Sequence, residues 1–149
     1  MPLKGIPDSI TPELLYLLAR MGHGDSIVIA DANFPSDAIG THTTTQTVVR
    51  VRGQTSEIAY DVLQLMPLDT YCENPVQVMD RVDQDKTREL VVPAYAALSL
   101  ATEHSLEYVE RFQFYERAKK CFAVVQTNDR SLYANVILFK GVIPAASSS

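Results

Sequence analysis

The chain has few of the residues on which several functional classes depend. Only two of its 149 residues are cysteines, three are histidines, and the formal net charge is −5. Nucleic-acid binding needs a basic patch, so this acidic balance argues against it. Cys72 and Cys121 lie far apart and lack the paired spacing of a zinc site. We expect free thiols in a reducing cytoplasm, with one disulfide between them as the less favoured alternative.

Long apolar runs and common catalytic motifs are missing as well. No run approaches the roughly 20 residues that span a bilayer, and residues 1–9 lack the apolar core of a signal peptide. There is no phosphate-binding loop, nucleophile elbow or dinucleotide fingerprint. A metal held by His23, Asp25 and Asp31 is the weaker alternative, because no second histidine stands at a ligand spacing. We expect no membrane segment, metal or cofactor.

The order of apolar patterns predicts one α/β domain over residues 1–149, with a mixed sheet flanked by helices. Helices are predicted after Thr11, after Thr55 or Ser56 as far as Met66, from Pro75 to Arg81, from Pro93 onward, and over 115–122. Strands are predicted over 26–30, 48–51, 122–127 and 132–141. The last two strands are expected to form a hairpin. Residues 108–112 fit a strand or a helix start, and 41–47 fit a mobile loop or an extended segment.

The stretch TPELLYLLARMGHGDSIVIAD, residues 11–31, carries the first candidate site. Gly22 is expected to end the first helix in the left-handed conformation. His23 follows between two glycines, and histidine exchanges protons near neutral pH. Asp31 ends an apolar strand, and ligands of open α/β sheets bind beyond the carboxyl ends of strands. The residues alone leave His23 open as a catalytic or structural residue, and Asp31 as a ligand contact or a turn residue.

Two further pairs of polar side chains lie toward the C-terminus. Arg111 and Tyr115 are four residues apart and share a face if their segment is helical. Tyr133 and Asn135 alternate along the predicted last strand and would point to one face. Such groups can bind a sugar or a carboxylate. Core packing of the aromatic rings, and a turn role for Asp69, explain the same residues, so spacing predicts only a possible polar pocket.

Four segments, in order, resemble the ribose pyranase/fucose mutarotase (RbsD/FucU) family, most closely its L-fucose mutarotase branch: TPELLYLLARMGHGDSIVIADANFP, LDTY, ERFQFYERAKKCFAVV and LYANVILFKGV. The resemblance implies the RbsD-like fold and a metal-free, cofactor-free isomerase that interconverts the α and β anomers of a free monosaccharide. It also implies ring-shaped homo-oligomers, commonly decamers, with pockets near subunit boundaries. His23 matches the proton donor, and the matching sugar contacts are Asp31, Asp69, Arg111, Tyr115, Tyr133 and Asn135.

Two departures from the family pattern leave the sugar preference and the subunit packing open. The family often has glycine where this chain has Ala134, so the backbone there cannot depend on glycine-only angles. It usually has an acidic residue where this chain has Arg52, next to the threonine-rich segment. L-fucose is the expected sugar, because the ribose branch tends to have histidine in place of Arg111. A D-ribose pyranase and a non-catalytic sugar-binding protein remain the alternatives.

Overall fold

A computed structural model describes residues 1–146, which form six helices and six strands. The helices are α1 (Pro12–Arg20), α2 (Ser36–Gly40), α3 (Thr55–Leu63), α4 (Asp83–Thr87), α5 (Pro93–Thr102) and α6 (Arg111–Lys119). The strands are β1 (Ser26–Ala30), β2 (Val48–Arg50), β3 (Val76–Met79), β4 (Glu107–Val109), β5 (Val124–Gln126) and β6 (Val136–Phe139). Together they confirm the predicted α/β fold with a mixed sheet. Within residues 1–146, no helix combines the length and the apolar character needed to cross a membrane.

One sheet contains all six strands, in the order β2-β5-β1-β6-β3-β4. Strand β5 is parallel to β1 and β2, and β3 is parallel to β4. Strand β6 runs antiparallel to both of its neighbours, β1 and β3. The other five strands therefore point the same way, and their carboxyl ends share one edge of the sheet. The start of β6 lies at that edge too.

Two apolar layers cover the two faces of the sheet. Ile27 and Ile29 pack with α1 and α3 on one face, whereas Val28 and Ala30 pack with Phe114 of α6 on the other. This alternation follows from the two-residue period of a strand. All five residues of β1 are buried, as expected for a strand covered on both faces.

Several local predictions from the N-terminal half and from α5 are confirmed. The Thr11 hydroxyl accepts a hydrogen bond from Leu14 N (3.2 Å) and caps α1, and Pro93 begins α5. Residues 41–47 form a hydrogen-bonded turn that leads into β2. Its backbone is attached to the chain after α6, because Thr44 N donates to the Cys121 carbonyl (3.0 Å).

The predicted helix from Pro75 to Arg81 is wrong, because the segment contains β3. Its apolar residues Val76, Val78 and Met79 are buried between β6 and β4. A four-residue strand is too short for its alternation, here the single polar Gln77 between Val76 and Val78, to be told from the first turn of a helix. The proline before this segment therefore suggested the start of a helix, but pairing with β6 and β4 makes the segment a strand.

The predicted hairpin between the last two strands is also wrong, because β1 lies between β5 and β6. The turn residues hold other loops instead of closing a hairpin. Asn128 Oδ1 accepts from Gly53 N (2.8 Å), and the Asp129 carbonyl accepts from Ala32 N (2.7 Å). These bonds attach the loop after β5 to the segments that follow β2 and β1. Asn128 and Asp129 are therefore turn residues in the crossover from β5 to β6.

Two predictions about backbone conformation near the candidate site need correction. Tyr133 and Asn135 precede β6, and Tyr133 has a left-handed φ of 58°, so they do not alternate along a strand. The left-handed glycine beside His23 is Gly24 (φ 84°) and not Gly22. Helix α1 ends at Arg20, and the next residue, Met21, is already extended, so the left-handed turn falls on Gly24.

Gly141 follows β6 where the chain passes closest to the loop that carries Asp69. A Cβ at Gly141 would meet the Leu68 carbonyl group, with its carbon at 2.8 Å and the Asp69 Cα at 3.0 Å. We expect Gly141→Ala to lower the free energy of unfolding by about 1–3 kcal/mol, because backbone must move. Urea denaturation measures this. Gly22→Ala is the matched control, since its Cβ would meet only the Asp25 carboxylate at 3.7 Å. Equal stability of the two variants would contradict the prediction.

Candidate functional site

His23 lies in the loop between α1 and β1, at the edge of the sheet where β1 begins. The end of β6 holds this loop by two backbone bonds: Gly24 N donates to the Lys140 carbonyl (2.9 Å), and Lys140 N donates to the Asp25 carbonyl (2.8 Å). Gly24 takes up the left-handed angle that the turn requires. The histidine is therefore carried on a loop that is part of the sheet's own hydrogen bonding.

The imidazole of His23 is oriented by Asp69. Its Nε2 lies 2.9 Å from Asp69 Oδ1, and the same oxygen accepts from Tyr71 N at 3.0 Å. The His23 side chain is 45% exposed, whereas that of Asp69 is 8% exposed. An ionised carboxylate only accepts hydrogen bonds, so Nε2 carries a proton and Nδ1 remains to exchange one. The hydrogen bond from His23 lowers the pKa of Asp69, which keeps the carboxylate ionised.

Asp31 lies at the opposite edge of the sheet, directly after β1. Its backbone N–H donates to Asn135 Oδ1 (2.8 Å), and its Oδ1 accepts from Asn33 N (2.9 Å). Both Asp31 and Asn135 are buried. Burial raises the pKa of Asp31 above its ordinary value, and the N–H groups of Asn33 and Phe34 oppose the rise. The predicted residues Asp31 and Asn135 therefore form one buried polar unit.

Arg111, Tyr115 and Tyr133 lie at this same edge. Arg111 and Tyr115 share a face of α6 as predicted, and Arg111 Nε donates to the Tyr115 hydroxyl (3.0 Å). The Tyr115 ring packs edge-on against Phe34, with ring centroids 5.7 Å apart. The Tyr133 hydroxyl donates to Asp85 Oδ2 (2.5 Å). We call Asp31, Arg111, Tyr115, Tyr133 and Asn135 the carboxyl-edge cluster.

The structure thus divides the seven predicted residues between two edges of the sheet. His23 and Asp69 lie where β1 begins, and the carboxyl-edge cluster lies where β1 ends. The five residues of β1, at about 3.3 Å each, separate the two edges by roughly 16 Å. Asp31 therefore cannot touch the same small sugar as His23 of its own chain.

A metal held by His23, Asp25 and Asp31 does not fit this geometry, since Asp31 is at the far edge. Within residues 1–146, no three His, Cys, Asp or Glu side chains are grouped as metal ligands. The Asp25 carboxylate accepts from Gly22 N (2.7 Å) and thus serves the turn.

Arg52, the residue that departs from the family pattern, is exposed at the carboxyl edge just after β2. It lines a groove of about 480 Å³ with Arg50 and with Ala32, the residue that follows Asp31. Arg50 forms an ion pair with Asp37 (3.0 Å).

Two residues at the candidate sites were not predicted from the sequence. The Tyr71 ring lies 5.3 Å from the His23 ring, and Asp85 binds the Tyr133 hydroxyl. Asp85 belongs to segment 83–90, whose many charged residues predict exposure to solvent. Its side chain is nevertheless only 16% exposed. No local signal separates it from the neighbouring carboxylates, because its partner lies 48 residues away.

Asp69→Asn tests the pairing with His23 through the pH dependence of stability. A lowered folded-state pKa means that ionised Asp69 stabilises the fold above its ordinary pKa of 3.8, and that this contribution is lost as the pH falls through the folded pKa. Urea denaturation should show wild type more stable than Asp69→Asn at about pH 6, with the difference shrinking below about pH 4. Asp83→Asn, which removes an exposed carboxylate on α4, is the control. A difference that does not change with pH would contradict the pairing.

Comparisons with known proteins agree with the fold. The family profile described as the RbsD / FucU transport protein family matches residues 4–143. The fucose mutarotase of Mus musculus is 48% identical over 152 residues, covering 98% of both chains. The crystal structure of a Streptococcus pneumoniae fucose mutarotase in complex with L-fucose has a TM-score of 0.82 and 39% identity, covering 95% of this chain and 100% of that one. Bacillus subtilis RbsD complexed with D-ribose gives a TM-score of 0.69 and 25% identity, with 97% and 100% covered. The chain belongs to the RbsD/FucU family.

Proposed function

We propose that this chain is an L-fucose mutarotase, an isomerase that interconverts the α and β anomers of the free sugar. The observation that carries the proposal is the exposed imidazole of His23, oriented by Asp69, in a chain similar along its length to proteins named fucose mutarotase. Proton exchange at a sugar requires a group that titrates near neutral pH and is accessible to the ligand. His23 is exposed, and histidine is the residue type best suited to such exchange.

The reaction needs two proton transfers. One proton leaves the anomeric hydroxyl and one reaches the ring oxygen, so that the ring opens to the aldehyde. Rotation about the adjacent carbon–carbon bond and reclosure then give the other anomer. His23 acts as the acid and base through Nδ1, since Nε2 is held by Asp69. Asp69 orients the imidazole, and this role fits its buried carboxylate as well as the predicted role of sugar contact.

The carboxyl-edge cluster provides the hydrogen bonds that hold the sugar. Arg111 brings an exposed guanidinium, Tyr115 and Tyr133 bring hydroxyls with flat apolar rings, and Asp31 brings a carboxylate. Because this cluster and His23 lie at opposite edges of the sheet, each pocket combines His23 of one subunit with the cluster of a neighbouring subunit. A ring-shaped homo-oligomer, such as a decamer, supplies this contact at every subunit. The working assembly is metal-free and cytoplasmic, in keeping with the free thiols of Cys72 and Cys121.

The ribose alternative is a pyranase that interconverts the pyranose and furanose forms. A structural relative of this chain is complexed with D-ribose, so that reaction belongs in any assay. Arg111 favours fucose, because the ribose branch of the family tends to have a histidine at that position.

Exchange NMR of anomeric protons tests the activity. We expect catalysed exchange for L-fucose above that for D-ribose and D-galactose, in buffer that contains a metal chelator. His23→Ala should lower the exchange rate by at least about 100-fold, because the acid and base is lost. His42→Ala is the matched control, since His42 is likewise exposed. Unchanged exchange for all three sugars at high protein concentration would contradict the enzyme, and loss of activity with chelator would revive a metal.

Mixed oligomers test whether two subunits share each pocket. His23→Ala and Arg111→Ala chains, each inactive alone, are co-expressed so that they assemble at random. If His23 and Arg111 come from different subunits, about one quarter of the pockets have both residues intact and activity returns in that proportion. Both side chains are exposed, so neither substitution removes core packing. A mixture as inactive as its components would mean that one chain supplies the whole pocket.

A further inference from the structure

The hydroxyl of Tyr133 is bound on two sides by the segment that begins α4. It donates to Asp85 Oδ2 (2.5 Å) and accepts from Val82 N (3.1 Å). The Tyr133 ring is partly buried against the apolar layer that contains Phe34 and Phe114. Ring packing and two hydrogen bonds therefore leave the hydroxyl one orientation.

The surroundings of Asp85 keep its carboxylate ionised and therefore an acceptor of this hydrogen bond. Its side chain is 16% exposed, and its other oxygen, Oδ1, accepts from Arg88 Nε (2.8 Å). Hydrogen bonding to Tyr133 and the charge of Arg88 lower the pKa of Asp85, so the carboxylate is ionised. An ionised carboxylate has no proton to give, so the Tyr133 hydroxyl must be the donor in this pair.

A count of hydrogen bonds shows what Tyr133 can still do. A phenolic hydroxyl has one proton to donate and two lone pairs that accept. The proton is directed to Asp85, and one lone pair is taken by Val82 N. One lone pair is left, so a ligand hydroxyl that meets Tyr133 must donate to it.

We propose that Asp85 is a positioning residue that makes Tyr133 a hydrogen-bond acceptor toward the sugar. The assignment of Tyr133 as a sugar contact rests on the proposed function, whereas the Asp85–Tyr133 pairing does not. Asp85 selects a sugar that presents a hydroxyl donor at this point and disfavours one that presents only an acceptor there.

The backbone of Tyr133 supports a positioning role. Tyr133 has a left-handed φ of 58°, which is unfavourable for a bulky residue and persists only where its surroundings hold it. Asn135 N donates to the Tyr133 carbonyl (2.9 Å), and Asp85 holds the hydroxyl at the far end of the side chain. Both ends of the residue are thus fixed.

The pairing is tested first without sugar, by the ¹³Cζ resonance of Tyr133 in protein labelled at tyrosine. Tyr133→Phe assigns the resonance by its loss. Asp85→Asn and Asp85→Ala should shift it at neutral pH, because the charged acceptor is gone. Asp83→Asn, on the same helix, should leave the resonance in place. Arg88→Gln should shift it only slightly, because this substitution weakens the ion pair of Asp85 but keeps the carboxylate. An unmoved resonance in both Asp85 variants would overturn the proposal.

The effect on the sugar is tested with L-fucose analogues in which each hydroxyl in turn is replaced by hydrogen or by fluorine, which accepts but does not donate. At the hydroxyl that meets Tyr133, both replacements should weaken binding to wild type equally, by about tenfold. In Asp85→Ala the hydroxyl of Tyr133 is free to donate, so the fluoro analogue should bind more tightly than the deoxy analogue. Fluoro and deoxy analogues that differ as much in wild type as in the variant would overturn the acceptor role.

The Tyr133 resonance and the exchange kinetics of L-fucose separate this proposal from the proposed function. If the resonance shifts but no sugar exchanges, the pairing stands and the activity is wrong. If L-fucose exchanges and kcat/KM of Asp85→Ala equals that of Asp83→Ala, the activity stands and the positioning role is wrong. A double variant of Asp85 and Tyr133 that is no worse than Tyr133→Phe alone is expected, because Asp85 acts through Tyr133.

Discussion

The antiparallel pairing of β6 with both β1 and β3 is the constraint on which the site depends. It brings the start of β6 to the edge where the other five strands end, so Asn135 can bind the backbone of Asp31. It also brings the end of β6 to the other edge, where Lys140 holds the loop of His23. One strand thus organises both groups of candidate residues, and its direction fixes which residues belong to which group.

This arrangement places the two groups of candidate residues at opposite edges of a single chain. The imidazole of His23 and the carboxylate of Asp69 form a hydrogen-bonded pair at one edge, but the carboxyl-edge cluster lies across the length of β1. In the proposed ring, each contact brings one edge of a subunit to the opposite edge of its neighbour, and the same contact repeats at every subunit. Both His23 and Arg111 are exposed, as the proposed contact between subunits requires.

Features that depend on neighbouring residues were predicted from the sequence, whereas features that depend on pairing between distant strands were not. The cap at Thr11 and the buried run of β1 are local, and both are where they were expected. The helix at Pro75 and the terminal hairpin were wrong because only the strand order decides them. The candidate site residues were predicted by resemblance and not by spacing. Their division between two edges, and the inward turn of Asp85, depend on contacts that span 46 and 48 residues in the chain.

In the segment Tyr133–Ala134–Asn135, alanine stands where the family often has glycine. The left-handed angle falls on Tyr133, and Ala134 has no such angle, so its Cβ costs no backbone strain. Ala134 is fully buried, and its carbonyl accepts from the Thr55 hydroxyl (2.8 Å). Tyr133, which has the unfavourable backbone angle, is also the residue whose side chain is bound by Asp85. Such a contact offsets the cost of the backbone angle and holds Tyr133 in a single conformation.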